Sequence, residues 1–282
     1  MENNDRIKEV IGIDLGGTTI KVGRVGNEKI EEIAVSPTPK TYDAMVVVDA
    51  IVETISKVVT YNTSAIGIGI PSVVDVGKGI VYDVMNIPSW KKVPIKSLLE
   101  EKLKLPVFVN NDANCFAIGE KIYGEGKDFQ HFVGVTLGTG LGAGIIQNGR
   151  LLKDANCGSG EFCVVPYRDS NYEDYCSSFF FGKYDTNGKE LYEKMKNGDQ
   201  DAKKIFDEFG FHLANLVKLI VASIDPQMVV FGGAISKSFE LFKDAMFNEM
   251  MNFEYANSMK KLVVRVSSIE NQGIYGAAAL CY

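Results

Sequence analysis

The sequence predicts an α/β protein made of two similarly built lobes. Three observations carry that prediction. Runs of β-branched residues alternate with helical patterns along the chain. A strand, a glycine turn and a return strand near the start recur past the midpoint, Ile11-Gly12-Ile13 being matched by Val133-Gly134-Val135 and Leu15-Gly16 by Leu137-Gly138. The chain's 282 residues are close to twice a common domain length. A composition of 46% hydrophobic and 23% charged residues suits a globular protein with a sizeable core, not a disordered or collagen-like one.

The elements follow in order. Residues Glu9 to Ile13 form a strand that ends at Asp14, and Leu15-Gly16-Gly17-Thr18-Thr19 turns the chain into a return strand from Ile20 to Val25. A third strand near Ile30 to Val35 completes a meander. Helical spacing then runs from Asp43 to Val59, and Ile66 to Ile70 is a strand stopped by Pro71. Ile95 to Leu103 reads as helix, Pro106 to Val109 as extended chain, and Ala113 to Tyr123 as helix. In the second half, Phe132 to Thr136 and Ala143 to Ile146 are strands around Gly138-Thr139-Gly140. Asp201 to Ile224 is the clearest amphipathic helix, with Phe206, Phe209, Leu213, Val217 and Ile220 on one face. Strands at Met228 to Phe231 and Leu262 to Val266 bracket a helix from Phe239 to Met251, and Ile274 to Leu280 closes the chain as helix.

Composition also bounds function. A net charge of −6 argues against a nucleic-acid partner. The longest uncharged run, Phe129 to Gly149, is glycine-rich and reads as strands around a turn, not a membrane span. Two histidines, five cysteines and no CxxC exclude zinc fingers and thioredoxin-like chemistry. The odd cysteine count and the polar start point to a soluble protein of a reducing, cytoplasmic compartment.

Three glycine turns lie at strand ends: Gly16-Gly17-Thr18-Thr19, Gly138-Thr139-Gly140 and Gly232-Gly233. Backbone N–H groups in such turns converge on anions, and glycine admits close approach. None fits a Walker loop or a dinucleotide fingerprint, because the first two return as strands. Each alone is a tight hairpin; three together favour a nucleotide-phosphate cradle. Asp14 beside the first turn suits hydrated Mg²⁺, or else simply caps a hairpin. In Asn110-Asn111-Asp112-Ala113-Asn114, Asp112 is either an N-cap or a general base for a substrate hydroxyl, with Asn111 holding a second hydroxyl. Glu161, after Gly158-Ser159-Gly160, and Glu173, in Tyr172-Glu173-Asp174-Tyr175, are candidate sugar-holding carboxylates accompanied by ring-stacking tyrosines, or solvated surface groups. His131, at a strand start, and His212, at the edge of a helix, read as structural.

With these pieces placed, the chain resembles the ROK family of sugar kinases and repressors, within the actin–hexokinase superfamily. The resemblance is carried by Ile11-Gly12-Ile13-Asp14-Leu15-Gly16-Gly17-Thr18-Thr19, Gly67-Ile68-Gly69-Ile70-Pro71, Val109-Asn110-Asn111-Asp112-Ala113-Asn114, Thr136 to Gly142, Gly158-Ser159-Gly160-Glu161 and Phe231-Gly232-Gly233-Ala234-Ile235-Ser236. It implies two ribonuclease-H-like lobes with the active site in the cleft between them. The N-terminal lobe would span 1–113, completed by a C-terminal helix at about 267–282, and the larger C-terminal lobe 114–266. It implies ATP-dependent phosphorylation of a hexose, glucokinase-like and at the 6-hydroxyl. Asp112 matches the catalytic base, and Asn111, Glu161 and Glu173 match the sugar contacts. Asp14 with Gly16, Gly17, Thr18 and Thr19 matches the first phosphate and Mg²⁺ site, Gly138, Thr139 and Gly140 the second, and Gly232 and Gly233 the adenosine motif. A homo-oligomer, commonly a dimer, is implied as well.

The departures are local. The family's GExxH has valine, Val164, in place of histidine, and its CxCGxxGCxE zinc cluster is missing, with Asn171 where the last cysteine would stand. No structural zinc is expected. The substrate is left open among glucose, mannose, fructose, allose and N-acetylmannosamine, and the alternative is a sugar-binding sensor or regulator of the same family without a DNA-binding domain.

Overall fold

A computed structural model describes residues 9–84 and 86–282. Two compact units are present. The first takes the chain to Gly124, takes it back for Lys153–Ser159 and ends with Ile269–Tyr282; the second holds Glu125–Leu152 and Gly160–Ser268.

In the first unit, β1 (Glu9–Leu15), β2 (Thr19–Gly26) and β3 (Lys29–Pro37) form the expected antiparallel meander. Helix α1 (Ala44–Ser56) begins where the Asp43 carboxylate accepts the Met45 N–H, which satisfies one of the orphan donors of a helix start. Strand β4 (Thr63–Ile70) then pairs parallel to β1. A small sheet of β5 (Val73–Asp75), β6 (Ile80–Tyr82) and β7 (Lys92–Val93) follows. Helix α2 (Ile95–Leu103) leads to β8 (Val107–Asn111), parallel to β4, and to α3 (Asp112–Tyr123). The strand order is β3-β2-β1-β4-β8. Ile11, Ile13, Ile66 and Ile68 fill the core with Val47, Ile51 and Trp90, whose indole N–H donates to the Ala44 carbonyl.

The second unit repeats this order as β11-β10-β9-β14-β15. Strands β9 (Phe132–Leu137), β10 (Leu141–Gln147) and β11 (Arg150–Leu151) make its meander. A loosely structured stretch holds the hairpin β12 (Pro166–Tyr167) and β13 (Ser170–Asn171) and the short helices α4 (Tyr172–Cys176), α5 (Ser178–Gly182) and α6 (Gly188–Lys196). Helix α7 (Gln200–Ile224) precedes β14 (Met228–Gly232), which is parallel to β9. Helices α8 (Phe239–Met250) and α9 (Ala256–Lys261) lead to β15 (Val263–Val266). The apolar stripe of α7 faces inward: Phe209 stacks on Phe181 and meets Phe242 edge-on, both at 5.1 Å.

The last helix, α10 (Gln272–Ala279), belongs to the first unit and lies on β1 and β4. Gly12 and Gly67 sit side by side in the sheet. A Cβ on Gly12 would run into the Ile274 carbonyl and one on Gly67 into the Ala277 carbonyl, so only glycine lets this helix approach.

The longer elements lie within a few residues of their expected positions. The small sheet β5–β7 and the stretch from β12 to α6 were not anticipated. Strands of two or three residues carry no period to read, and tertiary pairing decides them.

Candidate active site

Three parallel strands of the first unit present their carboxyl ends together. Register places Asp14 of β1 beside Gly69 of β4, and Gly69 beside Asn110 of β8. Polar residues gathered there are where parallel α/β sheets bind ligands. Burial pushes the Asp14 carboxyl above the usual carboxylate range, opposed by Lys21, its cross-strand neighbour. Beyond Asp14 the turn is closed by the Gly16 N–H donating to the Thr19 carbonyl at 2.9 Å, and the Thr38 hydroxyl donates to the Gly16 carbonyl at 2.7 Å. A Cβ on Gly17 would collide with Asn86, which the sequence reading had not singled out.

At the end of β8 the N-cap of α3 is Asn111, not Asp112. Its amide oxygen accepts from the Ala113 and Asn114 N–H groups at 2.8 and 3.4 Å, and its NH₂ donates to the Ser72 carbonyl at 3.2 Å. Asn110 and Asn114 are buried and bond to each other at 3.0 Å. This network explains the run of amides: it holds the strand–helix corner from which Asp112 projects as the first helical residue. The Asp112 carboxylate also accepts the Ala113 N–H at 2.9 Å.

The second unit gathers a second set. The turn Gly138-Thr139-Gly140 is tied to α5, the Ser178 N–H donating to the Gly138 carbonyl at 2.9 Å and its hydroxyl to the Thr139 carbonyl at 3.0 Å. Glu173, in the first turn of α4, lies against this loop and accepts the Leu141 N–H at 3.3 Å. Gly233 has φ +85°, and a Cβ there would strike the Leu137 carbonyl, so the end of β14 folds onto the end of β9. Glu161 is exposed after Gly160, whose φ of +81° and contact with the Ala143 carbonyl admit only glycine. The Cys163 thiol donates to the Glu161 carboxylate at 3.3 Å, and burial with that carboxylate pushes the thiol up to about 12. Val164 is 66% exposed.

The tyrosines near Glu173 do not stand ready to stack on a ligand. Tyr172 is buried and packs face to face on Tyr167 at 4.3 Å. His212, expected at a helix edge, is 1% exposed and bonded through Nδ1 to the Tyr167 hydroxyl at 3.1 Å.

A cavity of about 530 Å³ opens beside the second turn, lined by Gly138, Thr139, Ser178, Lys189, Tyr192 and Lys237 among others. A Cβ at Gly138 would meet nothing within 4 Å, so protein packing does not demand that glycine. Phe181 and Phe206 supply apolar wall, and Lys189 and Lys237 supply positive charge, a mixture suited to a base and its phosphates. The sequence reading missed Asn187, Lys189 and Tyr192, because the short helix α6 gave no signal. Among the described residues no group of three or more His, Cys, Asp and Glu side chains gathers as a metal site, and no described helix is long and apolar enough to cross a membrane. The donor set suits Mg²⁺ shared with phosphate: Asp14 is one hard, desolvated carboxylate beside a phosphate-type turn.

The sequence profile of the ROK family matches residues 10–179 and 182–282. The glucokinase of Thermotoga maritima is 29% identical, with 96% of both chains covered. The N-acetyl-D-glucosamine kinase of Vibrio atlanticus is 27% identical over 95% of this chain and 98% of its own. Among solved structures, a ROK family glucokinase of Streptomyces griseus, in complex with glucose and AMPPNP, matches with a TM-score of 0.80 at 26% identity, covering 96% of this chain and 98% of that one.

Proposed function

Since the chain belongs to the ROK family and is a sugar kinase, we propose that it transfers the γ-phosphoryl group of ATP to the 6-hydroxyl of a hexose, with Asp112 as general base. The observation that carries this reading is the corner at the end of β8. Asn111 spends its oxygen on capping α3 and one N–H on Ser72, which leaves its second N–H to hold a sugar hydroxyl next to Asp112. A carboxylate fixed on a capped helix is well placed to take the proton of an attacking hydroxyl.

Asp112 accepts that proton as the hydroxyl oxygen bonds to the γ-phosphorus and the bond to ADP breaks. Glu161 and Glu173 accept hydrogen bonds from the sugar's other hydroxyls. The loop Gly138-Thr139-Gly140 and the cavity beside it bind the donor, with Gly232 and Gly233 in the adenosine role, and the turn from Gly16 to Thr19 serves as a further phosphate-binding turn. The backbone donors of these turns meet charge that develops on the phosphoryl oxygens. Asp14 is the residue that would hold Mg²⁺, which would supply neutralisation of phosphate charge when bound.

The relatives named above act on glucose and on N-acetyl-D-glucosamine, so the panel for a coupled ADP-release assay is glucose, mannose, fructose, allose, N-acetylglucosamine and N-acetylmannosamine. ADP release that depends on at least one of them is expected. No sugar-dependent release from any of them overturns the reading.

A further inference from the structure

The stretch that carries Glu161 and Glu173 has little regular structure of its own. It holds a single 3-10 turn, Phe162–Val164, the two-residue strands β12 and β13, and the five-residue helix α4. Ordering such a stretch costs about 1–2 kcal/mol per residue in backbone entropy, so something else must hold it. What holds it is a cluster of rings at its centre. Tyr167 stacks on Tyr172 at 4.3 Å and 17°. Its hydroxyl bonds to Nδ1 of His212, in the middle of α7, at 3.1 Å. Tyr175 sits edge-on to the same imidazole at 4.6 Å, and the Tyr172 hydroxyl donates to the Asn215 carbonyl of α7 at 3.3 Å. The stretch is thereby fastened to the longest helix of the second unit, and Glu173 directly follows Tyr172.

A buried imidazole is a costly way to fill an apolar wall unless its directional bond is used. Burial draws His212 down to about 4, helped by Arg168 and Lys183 and opposed by Glu208, whose carboxylate lies 3.5 Å from Nε2. The ring is therefore neutral at ordinary pH, and a neutral Nδ1 can accept the Tyr167 hydroxyl whereas an imidazolium could not.

We propose that Tyr167 and His212 are positioning residues for the sugar: the bond between them sets where Glu161 and Glu173 stand, and so governs sugar affinity and not donor affinity. The inference rests on the reading of those two glutamates as sugar contacts. Neither Tyr167 nor His212 need touch the substrate.

The test compares the intact wild-type chain with Tyr167→Leu, Tyr167→Phe, His212→Leu and His212→Asn. Steady-state kinetics on the accepted sugar is paired with amide hydrogen exchange over 161–176. Tyr167→Leu and His212→Leu should raise sugar KM about tenfold or more, roughly the loss of one buried hydrogen bond, with ATP KM within about twofold. Exchange should quicken within 161–176 and stay slow in β9 and β14. His212→Asn, whose amide offers both a donor and an acceptor in place of Nδ1, should recover most of the wild-type KM, and Tyr167→Phe, which keeps the stacking, should fall between. Unchanged sugar KM, an ATP KM that rises in step, or quickened exchange throughout the second unit would each overturn the proposal. If the wild type phosphorylates no sugar, the kinase reading has failed, and exchange alone decides: quickening confined to 161–176 supports the fastening role, and none refutes it.

Discussion

Asp112 and His212 show how a single side chain takes its role from its surroundings. Asp112 follows the capping asparagine as the first residue of α3, and its carboxylate accepts the Ala113 N–H; in the proposed reading it is the base. Asp112→Asn keeps size and hydrogen bonding but cannot take a proton; kcat should fall by about 10²–10⁴ while circular dichroism and thermal midpoint stay those of the wild type. Full turnover by that variant would remove Asp112 as the base. His212 makes a prediction about pH. Its folded value near 4 lies below the ordinary 6.5, so the unfolded chain binds its proton first as pH falls. The stability this contributes is fully present above about pH 6.5 and is lost as pH drops toward 4, by at most about 3 kcal/mol. Urea unfolding at pH 7.5 and pH 5 should therefore show a smaller loss for His212→Asn than for the wild type, and equal losses would sink the assignment.

At the scale of elements, caps and glycines separate structural from ligand-directed roles. Asn111→Ala removes the N-cap of α3 and the tether to Ser72, and should cost about 1 kcal/mol or more in stability. Asn111→Ser restores an N-cap oxygen without the amide N–H, so it should regain most of that stability while sugar KM stays raised; recovery of both together would make Asn111 a cap and nothing more. The two glycines at the ends of β9 and β14 should behave oppositely. Gly233→Ala forces a side chain to a positive φ and into the Leu137 carbonyl, and should destabilise by more than about 1 kcal/mol. Gly138→Ala meets only open space, so the thermal midpoint should hold while ATP KM rises, a pairing that differential scanning and initial rates read directly.

Across the whole molecule the same strand order occurs twice, β3-β2-β1-β4-β8 and β11-β10-β9-β14-β15, with Asp14 and Asn111 at strand ends in the first unit and Gly138 and Gly233 directly after strands in the second. A donor bound in the cavity of the second unit would stabilise that unit by mass action. A nonhydrolysable ATP analogue at about a hundred times its Kd should add about 2.7 kcal/mol, and no thermal shift at saturating analogue would remove the donor site from this cavity.

The duplicated sheets, the long helices and the glycine turns were legible in the sequence because each rests on local chemistry. β-branched runs read as strands, three-and-four spacing reads as helix, and a glycine at a strand end reads as a turn. The grouping of Asp14 with the Asn110–Asp112 corner was only partly legible, since it depends on the parallel register of β1, β4 and β8. By itself the sequence determined the fold class, the repeat and the residue types available for phosphate and sugar. Only the tertiary structure decided that Asn111 caps α3, that Tyr172 and Tyr175 pack on Tyr167 and His212 and not on a ligand, and that α6 lines a cavity with Gly138. These outcomes join residues far apart in the chain, and such contacts follow from burial and register in three dimensions, which no local pattern records.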